Sequence, residues 1–293
     1  MSVSAWLVRT VFGRGDRKRD RGLVTPEDVE RFDSLAYGDD SAWHLLDVYR
    51  PKKHAGKLPV IVSVHGGAWV YGDKDVYQYY CMSLAREGFC VVNFTYRLAP
   101  DFRFPAQLED TVEAFRWVKE HAGEYGFDEH RVFAVGDSAG AHLLSLLCCA
   151  CTDRDYAKRL GVAFDPDLLP RAVALNCGVY RMEKPKGKFD FLGGISRDLL
   201  PQRGTEEELK LVSPILHLKT GFPPALVMTC EGDFRAPQAH PMAEALRAVG
   251  TEVEEKYYGG PEEVLGHVFH CNIRLEAAGR CNREECAYFR GFH

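Results

Sequence analysis

No apolar run in this chain approaches the roughly 18 residues that a bilayer-spanning helix needs, so a membrane-embedded helix is not expected. The opening stretch, MSVSAWLVRTVFGRG, has no basic leader, and Arg9 interrupts its apolar residues. It makes a poor export signal and reads instead as a short amphipathic helix docked on the body. A surplus of positive charge is also missing. The net charge is −5, which argues against a general binder of nucleic acid or of membrane surfaces. The single basic stretch, GRGDRKRD at 13–20, is short and contains Asp16 and Asp20; it is read as a solvated linker. Internal repeats and low-complexity tracts are absent, which leaves no basis for a repeat array.

Cysteine is plentiful, at ten residues, but a disulfide pattern is lacking. Cys148, Cys149 and Cys151 sit in an apolar helical stretch, where a free thiol behaves as a small hydrophobe, and a chain this long needs no staples. CCAC contains a C-x-x-C spacing but falls in mid-helix rather than opening one. HVFHC at 267–271, with Cys281 and Cys286 downstream, matches no standard zinc spacing. The expectations are reduced thiols, no metal, and the cytoplasm as compartment.

What is present is an ordinary globular balance: 293 residues, 46% hydrophobic and 27% charged, enough for a sizeable core. Short β-branched runs recur at 43–51, 57–69, 89–98, 131–140, 171–179 and 223–233, most of them closed by glycine or polar residues. Such near-continuous apolar strands suit a parallel sheet covered on both faces. Between them lie helical patterns. VYQYYCMSLAREG ends on Gly88, FPAQLEDTVEAFRWVKEHAGEYG has Pro105 near its start, and HPMAEALRAVG closes on Gly250. The alternation predicts an α/β fold of βαβ units. Residues 180–212 break the rhythm with a strandless stretch rich in Lys, Gly and Pro. They are read as an insertion over the C-terminal edge of the sheet, where ligands bind in such folds.

Chemistry concentrates in three places. Gly136, Ser138 and Gly140 stand where a strand pattern meets a helix pattern, in GDSAG. The spacing G-x-S-x-G suits a sharp turn that lifts a serine hydroxyl into a cleft, because a Cβ at either glycine would crowd the turn. Upstream, VSVHGGAW puts His65, Gly66 and Gly67 at a strand end. The uncovered amides of Gly66 and Gly67, with that of Ala139, suit the stabilisation of an oxyanion, and His65 is read as a hydrogen-bonded structural residue. Downstream, Asp233 follows a predicted strand, and His267 lies in a loop after the expected last strand, EVEEKYYGG. The order Ser, Asp, His is the one this turn requires. Glu231 and His270 compete; Asp233 is preferred because Glu231 is expected to remain within the strand, and His267 because Gly266 frees its loop. Trp69, Val70 and Tyr71 follow the glycine turn and are candidates for lining a substrate pocket. Tyr96 and Arg97 in YRLAP are expected to brace the strand end, and Asp137 to support the nucleophile turn.

Taken together, HGGAW, YRLAPDFRFPAQLED, GDSAG and the ordered EGD and LGHVF segments resemble the hormone-sensitive-lipase-like esterases of the α/β-hydrolase family, over about residues 40–275. The resemblance implies an eight-stranded, mostly parallel sheet flanked by helices. It also implies a cap from an N-terminal helical segment, 1–40, and the 180–212 insertion, on a catalytic domain of 41–293. It assigns Ser138, Asp233 and His267 as the triad, with Gly66, Gly67 and Ala139 at the oxyanion. Two departures stand out: Ala68 occupies the place of a frequent third glycine, and DFRAP puts Arg235 and Pro237 where leucine and a second acidic residue are common. Arg235 is read as solvated or ion-paired, with contact to an acidic substrate group as the alternative. The implied function is hydrolysis of short-chain acyl esters by a serine carboxylesterase through an acyl-enzyme. An amidase or peptidase on the same triad, or a non-catalytic binding protein, are the alternatives. No cofactor is expected. The expected partner is a small-molecule ester, with no nucleic acid and no stable membrane association; a homodimer is left open.

Overall fold

The computed structural model describes residues 2–184 and 191–292. Its strands are β1 (Val29–Ala36), β2 (Leu45–Pro51), β3 (Leu58–Val64), β4 (Cys90–Phe94), β5 (Phe127–Asp137), β6 (Val173–Asn176), β7 (Ala225–Cys230) and β8 (Val253–Tyr258). They form one eight-stranded sheet in the order β1-β2-β4-β3-β5-β6-β7-β8. The pairs β1/β2 and β2/β4 are antiparallel, and the pairs from β4/β3 to β7/β8 are parallel. The helices are α1 (Val3–Asp20), α2 (Lys74–Ala85), α3 (Ala106–Glu120), α4 (Ala122–Tyr125), α5 (Ala139–Thr152), α6 (Arg154–Leu160), α7 (Phe191–Leu199), α8 (Glu206–Leu211), α9 (Ala236–Ala248) and α10 (Glu276–Arg290). This is the expected α/β architecture with a mostly parallel sheet.

Burial explains the strand composition. Every residue of β4 and β7 is buried, because helices cover both faces. Val60, Val62 and Val64 pack with α3, α5 and α9 on one face. Ile61, Val91 and Phe133 pack with α2 and α10 on the other. The three cysteines of α5 lie in the first of these layers, and all ten cysteines are buried free thiols. Ordinary strand alternation thus feeds two cores at once.

Two expectations for the N-terminal region are corrected. The stretch 1–40 is not all helical: β1 pairs with β2 as the edge strand of the sheet. Its register slips between Phe32 and Leu35, where Ser34 has φ 56°. The basic stretch 13–20 is not a linker either, because α1 runs through it to Asp20. Arg17, Lys18 and Arg19 fall in the last turn, where cations favour the helix dipole. Arg19 is fixed by Asp20 at 2.7 Å, Asp16 at 3.0 Å and the Val76 carbonyl at 2.6 Å. Higher up the helix, Arg9 donates to the Val70 carbonyl at 2.8 Å. Among the described residues, no helix is long and apolar enough to cross a membrane.

The 180–212 insertion falls between β6 and β7 as expected; its residues 185–190 lie outside the described residues. In what remains, α8 opens with a reciprocal cap between Thr205 and Glu208, and α7 packs on α1. A Cβ on Gly194 would sit 2.0 Å from Ser4 Oγ, and the Ser2 hydroxyl donates to Asp198.

Candidate active site

The parallel strands end together, and the loops beyond their C-terminal ends assemble the site. β5 stops at Asp137, Ser138 stands at φ 51° and ψ −111°, and α5 begins at Ala139. A side chain in that conformation is strained, so the neighbours must enforce it. They do: a Cβ on Gly140 would approach the Val64 carbonyl to 1.9 Å, and one on Gly136 would meet Gly140 at 2.7 Å. Only glycine lets strand and helix come this close. The Ser138 amide is tied to the Asn176 carbonyl at 2.9 Å, which locks the turn to β6.

Asp233 follows β7 by three residues, as its sequence position suggested. Its carboxylate is buried and lies 2.6 Å from His267 Nδ1. The Thr229 hydroxyl donates to its other oxygen at 2.7 Å, and the Arg235 amide donates at 2.8 Å. Desolvation alone would raise the Asp233 pKa, but these three hydrogen bonds outweigh it and hold the carboxyl below its ordinary value. The His267 loop is laced to the Asp233 loop: the Gly232 amide donates to the Leu265 carbonyl at 2.8 Å, and the Cys230 thiol reaches the Gly266 carbonyl at 3.2 Å. The Phe234 ring packs 4.4 Å from the imidazole, centre to centre.

Two clefts meet at this point. Ser138, His267, Phe234 and Phe12 line both. One arm continues over Ala68, Trp69, Val179 and Ile195 to Arg181 and Arg235. The other continues over Gly66, Gly67, Tyr71 and Tyr77 to Asp16 and Arg19. Phe12 comes from α1, so that helix is a wall of the site rather than a distant appendage. Among the described residues, no hydrogen bond joins the Ser138 hydroxyl to the imidazole; both open onto the shared part of the cleft.

Several residues singled out from sequence take other parts. The Gly66 amide donates to the Tyr77 hydroxyl at 2.9 Å, so it is committed and unavailable to a ligand. Tyr77 in turn donates to Asp137 Oδ2 at 2.8 Å, and burial pushes the Asp137 carboxyl up to about 7. A Cβ on Gly66 would hit Asp137 at 2.4 Å, so this glycine is needed for packing. Beyond it, Gly67, Ala68 and Trp69 have φ of 110°, 54° and 59°. The amides of Gly67 and Ala68 make no hydrogen bond among the described residues, and the Ala139 amide opens α5, where first-turn donors have no intrahelical acceptor. Trp69 and Tyr71 line the two arms, but Val70 is fully buried in the core and lines neither.

The competing residues separate cleanly. His65 is buried, stacks on Tyr96 at 3.9 Å, and bonds the Gly66 carbonyl at 2.7 Å; burial lowers its pKa to about 4. His270 is buried away from both arms, and burial lowers its pKa to about 3. Glu231 lies just past the end of β7, not within the strand, and its exposed carboxylate accepts from the Tyr257 hydroxyl at 2.8 Å. Tyr96 braces the His65 carbonyl at 3.0 Å, while Arg97 grips Asp110 at 2.6 Å. Thr229 and Phe12 are the site residues that sequence reasoning missed, whereas Ala68 stands out in the sequence only as a departure from a frequent third glycine. Of the two, Thr229 alone carried a signal, a hydroxyl four residues before the acid, too slight to single out.

Known proteins place the fold in a family. A family model described as alpha/beta hydrolase fold matches residues 61–270. Esterase LipC of Mycobacterium tuberculosis (strain ATCC 25618 / H37Rv) is 33% identical over 227 residues, 73% of this chain and 55% of LipC. The chain therefore spans only about half of that relative. Carboxylesterase NlhH of the same organism is 28% identical over 291 residues, 94% of this chain and 89% of NlhH. Among solved structures, esterase B of Lactobacillus rhamnosis, crystallised with a C4-C4 tributyrin phosphonate inhibitor, superposes with a TM-score of 0.87 at 25% identity. That match covers 99% of this chain and 95% of the other. Sheet order, strained turn and matched length lead to one conclusion: this chain belongs to the alpha/beta hydrolase fold family, among relatives that are carboxylic ester hydrolases.

Proposed function

We propose that the protein is a serine carboxylesterase, with Ser138 as nucleophile, His267 as general base and acid, and Asp233 as the carboxylate that orients the imidazole. The observation that carries this reading is the His267–Asp233 contact of 2.6 Å facing the same cleft as a serine held at φ 51°. With Nδ1 donating to Asp233, the lone pair of Nε2 is left to take the serine proton. Ser138 Oγ then attacks the ester carbonyl. The tetrahedral oxyanion is met by the amides of Gly67, Ala68 and Ala139, with Ala68 taking the part that sequence gave to Gly66. His267 returns the proton to the leaving alcohol, and the acyl-enzyme is released by water that the same imidazole activates. Residues of α1 and of 180–212 act as the cap, since Phe12 and Ile195 close over the cleft.

Short acyl groups are the proposed substrates. The esterase from Lactobacillus that fits this chain over nearly its whole length carries a C4 phosphonate inhibitor, and Trp69 and Ile195 wall one arm closely. The test is a series of p-nitrophenyl acetate, butyrate and octanoate. The expected result is fastest turnover on acetate or butyrate, with covalent labelling by a fluorophosphonate that disappears in Ser138→Ala. Turnover that persists in Ser138→Ala, or labelling elsewhere, would overturn the assignment.

A further inference from the structure

Arg235 stands two residues after the proposed catalytic acid, and its side chain does not behave as sequence suggested. It is half-buried, and it forms no ion pair among the described residues. The guanidinium is half-buried along the arm that runs from Ser138 past Trp69 and Ile195. Burial lowers its proton affinity, and among the described residues the carboxylates acting against that, Glu183 and Asp233, form no ion pair with it. Asp233 is already engaged by His267, Thr229 and the Arg235 amide. Among the described residues its close partner is the Phe234 ring, 5.3 Å from the guanidinium carbon. That ring braces the cation from one side and neutralises nothing. A second guanidinium, Arg181, lines the same arm, and its side chain makes no ion pair among the described residues. Glu183 is the single carboxylate lining this arm.

A partly desolvated arginine without a counter-ion is costly to keep and is matched by a bidentate carboxylate. Apart from Ser196, the rest of the arm is apolar, supplied by Val8, Phe12, Trp69, Val179, Met182 and Ile195. We propose that this arm receives an anionic group of the substrate, so that the preferred esters carry a carboxylate on an apolar body, with Arg235 as the principal contact and Arg181 as a second. The proposal rests on the hydrolytic reading above and names its substrate class. It makes Arg235 a specificity-determining residue, outside the chemical step.

The test uses two matched pairs, so that the carboxylate is placed once on each side of the scissile bond. 4-Acetoxybenzoate against 4-acetoxytoluene places it on the alcohol side, and monoethyl adipate against ethyl hexanoate places it on the acyl side. The readout is the ratio of kcat/KM, charged over neutral, in wild type, Arg235→Gln and Arg235→Lys. In at least one pair the ratio is expected to fall about tenfold in Arg235→Gln, mainly through KM, and to be largely restored in Arg235→Lys. A fall of less than about fivefold in both pairs overturns the proposal. If neutral esters are then still turned over in a Ser138-dependent way, the esterase assignment survives and only the substrate class is lost. If no ester is turned over at all, calorimetric binding of benzoate to Ser138→Ala decides separately. A Kd weakened at least about fivefold by adding Arg235→Gln keeps the anion site, and a smaller change removes it.

Discussion

The two arms of the cleft treat charge in opposite ways. In the arm beside Gly67, Arg19 is saturated: Asp20, Asp16 and a backbone carbonyl surround it, and the Tyr71 hydroxyl donates to Asp16 at 2.8 Å. In the arm beside Trp69, Arg235 meets an aromatic ring and, among the described residues, no carboxylate at ion-pair distance. The same residue type thus does two jobs. A saturated arginine is a structural clamp, here pinning the end of α1 to α2. An unsaturated one in a cleft keeps its binding capacity for something that arrives from solution. Counting charged residues would not separate the two; counting their partners does.

Breaking what the arms share gives the largest expected effect. Ser138→Ala should lower ester kcat by about 10⁴- to 10⁶-fold whichever arm the substrate occupies, and steady-state rates on p-nitrophenyl acetate check it. Asp233→Asn should cost about 10³- to 10⁴-fold, because the amide can hold the imidazole in the wrong tautomer; the fluorophosphonate labelling rate should fall with it. Arg19→Gln sharpens the comparison between clamp and acceptor. It leaves Asp16 and Asp20 half-buried without their cation, so urea denaturation should show about 1–3 kcal/mol of lost stability. Its effect on the charged-to-neutral ester ratio should be far smaller than that of Arg235→Gln. Equal effects would erase the distinction between the arms.

The smallest effect concerns a carboxylate far from either arm. Glu285 on α10 is buried, accepting from the Tyr80 hydroxyl at 2.7 Å and the Asn176 amide at 2.8 Å. Burial raises its pKa to about 7 against those two hydrogen bonds. The folded state therefore holds this proton more tightly than the unfolded chain does. The stability it contributes is complete below the unfolded value of 4.5 and fades as pH rises through about 7. Between pH 5 and 8, wild type should lose up to about 2 kcal/mol relative to Glu285→Gln, measured by urea melts at both pH values. A difference of the opposite sign would refute the account.

What was legible in the sequence was what local chemistry dictates. The glycines around Ser138 announce themselves by their spacing, although only Gly136 is required by near neighbours and Gly140 answers to the Val64 carbonyl; the order Ser138, Asp233, His267 follows from strand ends that the apolar runs mark. The illegible parts depend on neighbours remote in sequence. The Gly66 amide is consumed by Tyr77, which arrives on α2. Val70 is turned inward by the positive φ values before it. Strand β1 is half-exposed, charged and broken by a register slip at the sheet edge, so its hydrophobic alternation is faint. The basic stretch 13–20 carries a polar signature because Arg19 is tied to neighbours and the helix turns Arg14, Arg17 and Lys18 to solvent, not because the chain there is loose. The unpaired state of Arg235 is set by which acids already have partners, a property of the fold that no window of sequence contains.

The backbone at Ser138 carries a further consequence. A left-handed angle strains any residue with a side chain and suits glycine. Heat resistance and reactivity therefore pull in opposite directions at this single position. Variants chosen only for surviving high temperature should drift toward Ser138→Gly, which ought to melt above Ser138→Ala, and the sturdiest descendants of this fold would be inert.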